Sequence, residues 1–306
     1  MKQVLVIVGP TGVGKTKLSI ALAKEYGYEI ISGDSMQIYK GMDIGTAKVR
    51  KDEMDGIVHH LIDVKEVNEN YSCADFQETV RKKIDEIISK GKKALIVGGT
   101  GLYLRSLLYD YTFSKEAERN NSLMEKFKDY SNEELYDHLK KIDEESAKIL
   151  HPNNRRRVLR AIEIYETSGT TKSENLNNQE HKLIYDALIL GLDLDRKLLH
   201  ERQNKRVDLM IKEGLEEEVK KLYNTKGFLD STSSKGIGYK EFFPYFEGKI
   251  TLEEVIEQIK IHTHQYAKRQ FTWFRNQMNV NWLAADIENF DDTINEAKKL
   301  VNLWIK

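Results

Sequence analysis

The sequence predicts an α/β fold: a parallel β-sheet flanked by helices, with an inserted all-helical subdomain and a helical C-terminal part. Three observations predict it. An apolar run, Val4 to Val8, leads directly into GPTGVGKT, Gly9 to Thr16, and then into helical periodicity. Further apolar runs of strand length recur at Glu29 to Ser32, Ala94 to Val97 and Ala187 to Leu194, with helical patterns between them. From about Thr112 the composition turns charged and helical, and glycine is absent until Gly169. The expected division is therefore a core of residues 1–111 and 183–306 and a helical insertion of residues 112–182.

Val4 to Val8 is continuously apolar, as a strand buried on both faces should be. After the glycine-rich stretch, Leu18, Leu22 and Tyr26 recur at four-residue spacing and mark one face of a helix. The stretch between them spells G-x-x-x-x-G-K-[ST] in a strand–loop–helix context, so the sheet is P-loop NTPase-like. Gly9, Gly12 and Gly14 let the backbone turn its N–H groups inward, at the positive end of the following helix. With Pro10, Thr11 and Val13 they form a phosphate-binding loop. Lys15 adds a point charge, and the Thr16 hydroxyl is placed to join the oxygen shell of a Mg²⁺ ion.

EIIS, Glu29 to Ser32, reads as the second strand, and a long loop follows from Gly33 to Lys48 with Asp34 at its head. Alone, Asp34 reads as a turn cap; beside a P-loop it reads as a ligand-binding acid beyond a strand end. HHLID, His59 to Asp63, is a short strand candidate whose adjacent histidines point to opposite faces, which disfavours a shared metal ion. Phe76, Val80, Ile84 and Ile87 mark a helix that stops near Gly91. Cys73, just before it, reads as a packed thiol. The next strand, Ala94 to Val97, ends in Gly98, Gly99 and Thr100. It lacks the Mg²⁺-holding aspartate of ATP-hydrolysing P-loop motors, which leaves Asp34 as the acid nearest the phosphates. Small residues there suggest a wall for a flat or apolar group.

In the insertion, Ser131 and Glu134 make a capping box ahead of the stripe Leu135, Leu139, Ile142. Arg155, Arg156, Arg157 and Arg160 then place four positive charges within six residues, with Val158, Ile162 and Tyr165 facing inward. A solvated helix face and phosphate contact both fit this cluster; a second basic patch would favour the latter. Thr170 to Glu180 is polar and aperiodic and reads as a connection.

The last third is mainly helical. His200 to Tyr223 puts Arg202 and Arg206 on one face, with Val207, Met210 and Ile211 as core positions. Lys235 to Phe242 sets two glycines between lysines, as a close-approach loop for a charged backbone would. Thr251 and Glu254 cap a helix that runs to Gln277, where Phe271 and Trp273 read as core. The same spacing turns Arg269 and the edge of Phe274 toward a nucleic acid.

A chain of 306 residues with 40% apolar and 32% charged residues and a net charge of −1 has no global attraction for nucleic acid. Binding of that kind must come from local patches. One cysteine excludes an internal disulfide and a cysteine-built zinc site. Apolar runs of strand length exclude a membrane span, and a cytoplasmic protein is expected.

Together these motifs resemble one family, the tRNA dimethylallyltransferases, or tRNA isopentenyltransferases. The matching pieces are GPTGVGKT, DSMQIYKGMDIGTAK, HHLID, YSCADF, VGGTGLYLRSLL, HPNNRRRVLRA, RVDLM with GLEEEV, KGIGYKE and KRQFTWFR, in family order from residue 9 to about residue 275. The P-loop has Gly12-Val13 where similar proteins often carry Ala-Ser, and Gly101 stands at a variable position. The zinc-finger extension of some eukaryotic members is absent, as in the bacterial-type form.

The resemblance implies transfer of a dimethylallyl group from dimethylallyl diphosphate to the exocyclic amine of the adenosine 3′ of the anticodon. It implies Mg²⁺ on Thr16, diphosphate in Gly9 to Thr16 with Arg206 sharing its charge, Asp34 as proton acceptor, and Thr100 beside the reaction channel. Asp34, Ser35, Met36 and Gln37 line the flipped-out base. Arg156, Arg157, Val158, Leu159 and Arg160, with Lys235, Gly236, Ile237, Gly238, Tyr239 and Lys240, grip the anticodon stem-loop. A monomer is expected. The residues alone also fit a P-loop kinase using Asp34 as base, a prenyltransferase acting on free adenine nucleotides, or a non-catalytic RNA-binding ATPase, the last disfavoured by the missing strand-end aspartate.

Overall fold

The computed structural model describes residues 1–113, 125–177 and 180–306, with the side chains of 176 and 177 outside that description. The chain divides into two compact units, Met1–Leu108 with Tyr185–Lys306, and Tyr109–Ile184. Part of the expected connection Thr170 to Glu180, residues 178 and 179, lies outside the described residues.

The first unit is built on a six-stranded, all-parallel sheet. Its strands are β1 (Gln3–Val8), β2 (Tyr28–Ser32), β3 (His59–His60), β4 (Lys93–Gly98), β5 (Asp186–Asp193) and β6 (Asn281–Ala284), in the spatial order β3-β2-β4-β1-β5-β6. β1 lies centrally, with Val6 opposite Ile96 on one side and Ile189 on the other. Val4 to Val8 are fully buried, which is why this strand is apolar at every position rather than alternately. Since all strands run the same way, their C-terminal ends share one edge, where such sheets bind ligands.

Helices α1 (Lys15–Tyr26), α2 (Cys73–Ser89) and α3 (Gly101–Leu108) belong to the same unit. α1 packs Leu18 and Leu22 into the same core as Leu5, Leu95 and Leu190. It stops at Gly27, whose N–H bonds to the Ala23 carbonyl from a left-handed conformation. β3 is shorter than the expected His59 to Asp63, because Leu61 and Asp63 hold positive φ values of 61° and 57° and leave the ladder. The two histidine rings have separate partners, the Ile57 carbonyl for His59 and the Glu29 carboxylate for His60.

The long loop between β2 and β3 is held by charge. Lys48 is buried and donates to the Tyr39 carbonyl at 2.8 Å, Asp43 at 2.6 Å and Asp63 at 2.5 Å. A buried cation with three oxygen partners is compensated, and losing them would leave it bearing the full cost of burial.

In the second unit, α4 (Asn132–Ile142), α5 (Glu144–Ile149), α6 (Arg155–Ser168) and α7 (Lys172–Asn177) surround a small core of Phe127, Leu135, Leu139, Val158, Ala161 and Ile162. The Ser131–Glu134 capping box is present. Tyr165, expected inward, is exposed instead, since the last buried residue on α6 is Ile162, well before the helix ends at Ser168.

The C-terminal part of the first unit carries α8 (Arg196–Lys212), α9 (Leu215–Tyr223), α10 (Phe243–Phe246), α11 (Leu252–Gln277) and α12 (Phe290–Trp304). The stretch His200 to Tyr223, undivided in the sequence reading, breaks at Gly214, whose φ of 96° favours glycine. Met210 lines a cavity rather than the core. Along α11 the fully buried aromatic is Phe274, while Phe271 and Trp273 are half-buried, so an edge of Phe274 directed at nucleic acid is ruled out. No helix among the described residues is long and apolar enough to cross a membrane.

Candidate active site

The loop Gly9 to Thr16 lies at the C-terminal end of β1 and opens into α1. Its shape depends on glycine at one position above all. Gly14 has φ 104°, and a Cβ there would stand 2.7 Å from the Phe290 ring, so both backbone and packing forbid a side chain. The Val13 side chain is fully buried, and Pro10 has no N–H, so Val13 offers no side chain and Pro10 no backbone donor to a ligand.

Three successive carbonyls of the loop are taken by side chains. Lys15 Nζ donates to Pro10 at 2.7 Å, Gln203 Nε2 to Thr11 at 2.9 Å and Arg202 Nε to Gly12 at 3.0 Å. With those carbonyls engaged, the N–H groups are the part of the loop left for an anion.

This loop borders a cavity of about 1200 Å³. Lys15, Thr16, Asp34, Gln37 and Arg206 all border it, with Gly98 and Gly99 on the β4 side. Side chains distant in the sequence thus meet in one site. Gly98 has no room for a Cβ, which would run into the Gly33 backbone, so the smallness of this strand end serves the close approach of two strand termini. β5, the other neighbour of β1, does end in an aspartate, but Asp193 pairs with Arg275 at 2.6 Å and does not border the cavity.

Burial pulls Lys15 down to about 8; Asp34 acts to raise it and Arg206 to lower it further. Burial likewise lowers Arg206, with Asp34 opposing. Glu53 and Glu213 also act to raise Arg206, yet the cavity lining carries seven lysines and arginines against four aspartates and glutamates, so the site favours an added anion. Asp34 itself accepts the Met36 N–H at 2.8 Å through Oδ1, so it serves as a turn cap and borders the cavity at once. Gln37 accepts from Ser32 Oγ at 3.1 Å and donates toward the Thr46 and Ala47 carbonyls at 3.4 and 3.5 Å.

Other expected residues fall elsewhere. Thr100 and Ser35 bond to each other at 3.4 Å and do not border the cavity. Met36 sits against Gly236, where a Cβ would come 3.5 Å from its sulfur. In the Lys235–Lys240 turn, Lys235 and Lys240 are exposed, Ile237 is half-buried, and Gly236, Gly238 and Tyr239 are buried. Tyr239 donates its hydroxyl to Glu218 at 2.7 Å, which corrects its expected place as an RNA-facing side chain.

In the second unit the arginine cluster splits. Arg155 donates to the Phe127, Lys128 and Tyr130 carbonyls, closing the turn before α4. Arg160 pairs with Glu163 at 2.6 Å. Arg156 and Arg157 are exposed. Val158 is fully buried and offers no side chain to RNA, and Leu159 is half-buried against the same core: on a helix with one face buried, five consecutive residues cannot all face out.

The sequence reading missed Tyr266, Gln270 and Gln203. Tyr266 borders the cavity; burial pushes its hydroxyl up to about 12, with Asp34 adding to the rise and Thr100 and Gln270 opposing it. Gln270 donates to the Gly99 carbonyl at 2.8 Å. A signal existed: Gln270 and Gln203 interrupt otherwise apolar buried stripes, Ala267–Gln270–Phe274 and Leu199–Gln203–Val207.

The oxygen donors at the loop suit a hard cation. Among the described residues no group of three His, Cys, Asp or Glu side chains forms a cage. The Thr16 hydroxyl in the cavity fits the sparse protein ligation of a Mg²⁺ ion that keeps water and phosphate oxygens.

A family model described as IPP transferase matches residues 37–277. The chain is 52% identical over 297 residues to the tRNA dimethylallyltransferase of Anoxybacillus flavithermus, covering 97% of this chain and 94% of that one. It is 52% identical over 286 residues to the Bacillus subtilis protein of the same name, covering 92% and 90%. A solved tRNA delta(2)-isopentenylpyrophosphate transferase from Staphylococcus epidermidis is 44% identical, with TM-score 0.74 and 99% of both chains covered. A eukaryotic dimethylallyltransferase solved acting on tRNA is 34% identical, with TM-score 0.85, over 98% of this chain and 78% of that one.

The Lys15 environment sets a pH dependence. The charged form, which an anion favours, predominates below about 8 in the free protein and is lost above it. Affinity for inorganic diphosphate, measured by titration calorimetry, is expected to fall by up to about tenfold per pH unit above that point. The Lys15→Met variant should show only the ligand's own, shallower pH dependence.

Proposed function

The chain belongs to the IPP transferase family, the tRNA dimethylallyltransferases, and on that premise we propose how its own residues divide the reaction. The enzyme transfers a dimethylallyl group from dimethylallyl diphosphate to the exocyclic amine of the adenosine 3′-adjacent to the anticodon in tRNA, releasing diphosphate. The observation that carries the assignment of roles is the shared cavity of Lys15, Thr16, Asp34 and Arg206.

The inward N–H groups of Gly9 to Thr16, with Lys15 and Arg206, bind the diphosphate. The adenine amine attacks the first prenyl carbon, the carbon–oxygen bond breaks, and its electron pair leaves on diphosphate. Negative charge grows on the leaving group during that step, so fixed donors already aimed at it favour the transition state over the ground state. The amine proton passes to the Asp34 carboxylate, which lies on the cavity wall with Gln37. Thr16 would hold Mg²⁺, which supplies further neutralisation of the diphosphate charge. Tyr266 and the flat Gly98–Gly99 strand end leave room on the remaining walls for an apolar tail and a planar base.

The target base has to leave its stack to enter such a cavity. Each unit offers exposed cations for the RNA backbone: Lys235 and Lys240 in the first, Arg156 and Arg157 in the second. The acceptor in this reading is the anticodon stem-loop, and the enzyme works as a cytoplasmic monomer.

Labelled dimethylallyl diphosphate, Mg²⁺ and unmodified tRNA, followed by nucleoside mapping, test the whole reading. Prenylated adenosine beside the anticodon with released diphosphate supports it. ADP with a phosphorylated acceptor would point to a kinase, and AMP serving as well as tRNA would remove the RNA from the function.

Two variants test the roles. Asp34→Asn is expected to slow single-turnover transfer by about 10²- to 10⁴-fold while tRNA affinity holds, since the carboxylate moves a proton and does not grip phosphate. Filter binding across a salt series should show Arg157→Ala losing about one unit of salt slope. Arg155→Ala should instead lower the melting temperature, because its guanidinium closes a turn.

A further inference from the structure

Glu218, on α9, does not border the cavity, and no step above uses it. Yet its carboxylate collects four donors. One oxygen accepts the backbone N–H groups of Asp43 at 2.9 Å and Ile44 at 2.8 Å. The other accepts the Gly45 N–H at 3.1 Å and the Tyr239 hydroxyl at 2.7 Å. Three consecutive backbone N–H groups turned on one carboxylate make an anion nest with its anion built in.

The segment so held is part of the cavity wall. Asp43, Ile44, Thr46 and Ala47 border the cavity, and the Thr46 and Ala47 carbonyls face the Gln37 amide. Ala47 has φ 46°, a left-handed conformation that a non-glycine residue keeps only when its surroundings enforce it. Tyr239 completes the clamp: it is fully buried, and a Cβ on Gly45 would stand 2.6 Å from its ring. The turn that presents Lys235 and Lys240 is therefore fastened to the loop that presents Asp34 and Gln37.

We infer that Glu218 is a positioning residue for the acceptor: it fixes the Asp43–Ala47 wall against the Lys235–Lys240 turn, so that RNA bound at the turn meets a correctly shaped base pocket. This rests on the transferase reading above. The diphosphate loop makes no bond to Glu218 and is braced instead from α8 by Arg202 and Gln203. Loss of Glu218 must then show on the acceptor side alone. Burial and the neighbouring carboxylate hold the Tyr239 hydroxyl well above its ordinary value, so it remains a donor at every working pH. The Glu218→Gln substitution turns one carboxylate oxygen into an amide donor that faces other donors.

The test is steady-state kinetics of the full chain with each substrate varied, alongside the equilibrium affinity for dimethylallyl diphosphate and the melting temperature. Glu218→Gln is expected to lower kcat/KM for tRNA by about tenfold or more, as loss of hydrogen bonds to a charged group implies. Donor affinity should stay within about twofold. Tyr239→Phe should lower kcat/KM for tRNA by a smaller factor and likewise spare donor affinity.

A Glu218→Gln enzyme equal to wild type with tRNA would overturn the inference. So would parallel losses in donor affinity and tRNA turnover, which mean general loosening of the fold. Should Glu218→Gln not fold, Tyr239→Phe decides by the same two criteria. Wild-type enzyme that leaves tRNA unmodified would instead defeat the transferase reading, and the two failures are thereby distinct.

Discussion

A positive charge set into a cavity floor without an anion of its own is the constraint on which this structure turns. Lys15 makes no ion pair among the described residues, and its one side-chain bond is to the Pro10 carbonyl. Burial therefore weakens its hold on its proton, and Arg206 nearby weakens it further. Such a site costs stability when empty and recovers it when an anion arrives. The P-loop keeps the lysine there by geometry. A central strand buried on both faces ends under the loop, α1 begins at once, and Phe290 closes off any side chain at Gly14.

What distinguishes this cradle from a triphosphate-hydrolysing one lies in its surroundings. β4 ends in glycines that bring the β2 and β4 termini together, and the aspartate at the end of β5 is spent on Arg275. An acid that faces both Lys15 and Arg206 comes instead from the loop after β2, where Asp34 caps its own turn. A carboxylate placed there is close enough to influence Lys15 and Arg206 electrostatically, and it shares the wall with Gln37. In the proposed reaction that carboxylate takes up a proton opposite the leaving diphosphate.

The long loop carrying Asp34 belongs to no strand of the sheet, and its backbone pairing is limited to a short bridge between Tyr39 and Lys65 and the bonds beside it. Charged staples add to that order, Lys48 from inside and Glu218 from α9, each satisfying several backbone or carboxylate groups. Buried or half-buried charges of this kind add little net stability, but they specify one arrangement over others. A loop that forms two walls of an active site needs the latter more.

The alternation of strands and helices, the P-loop, the capping boxes at Ser131 and Thr251 and the helical insertion were all legible in the sequence. Each depends on residues within a turn or two of one another, so spacing along the chain carries the physics. Other features were decided only in three dimensions. Four clustered arginines read alike, yet Arg155 closes a turn and Arg156 and Arg157 face out, because one face of α6 must pack on Leu135 and Leu139. Tyr239 read as a surface contact and proved to be a buried donor to Glu218. Gln203 and Gln270 interrupt apolar stripes, but which groups they bond to was not legible, since their partners lie 192 and 171 positions away. No periodicity encodes such contacts, since they arise from the packing of α8 and α11 beside the sheet's C-terminal edge.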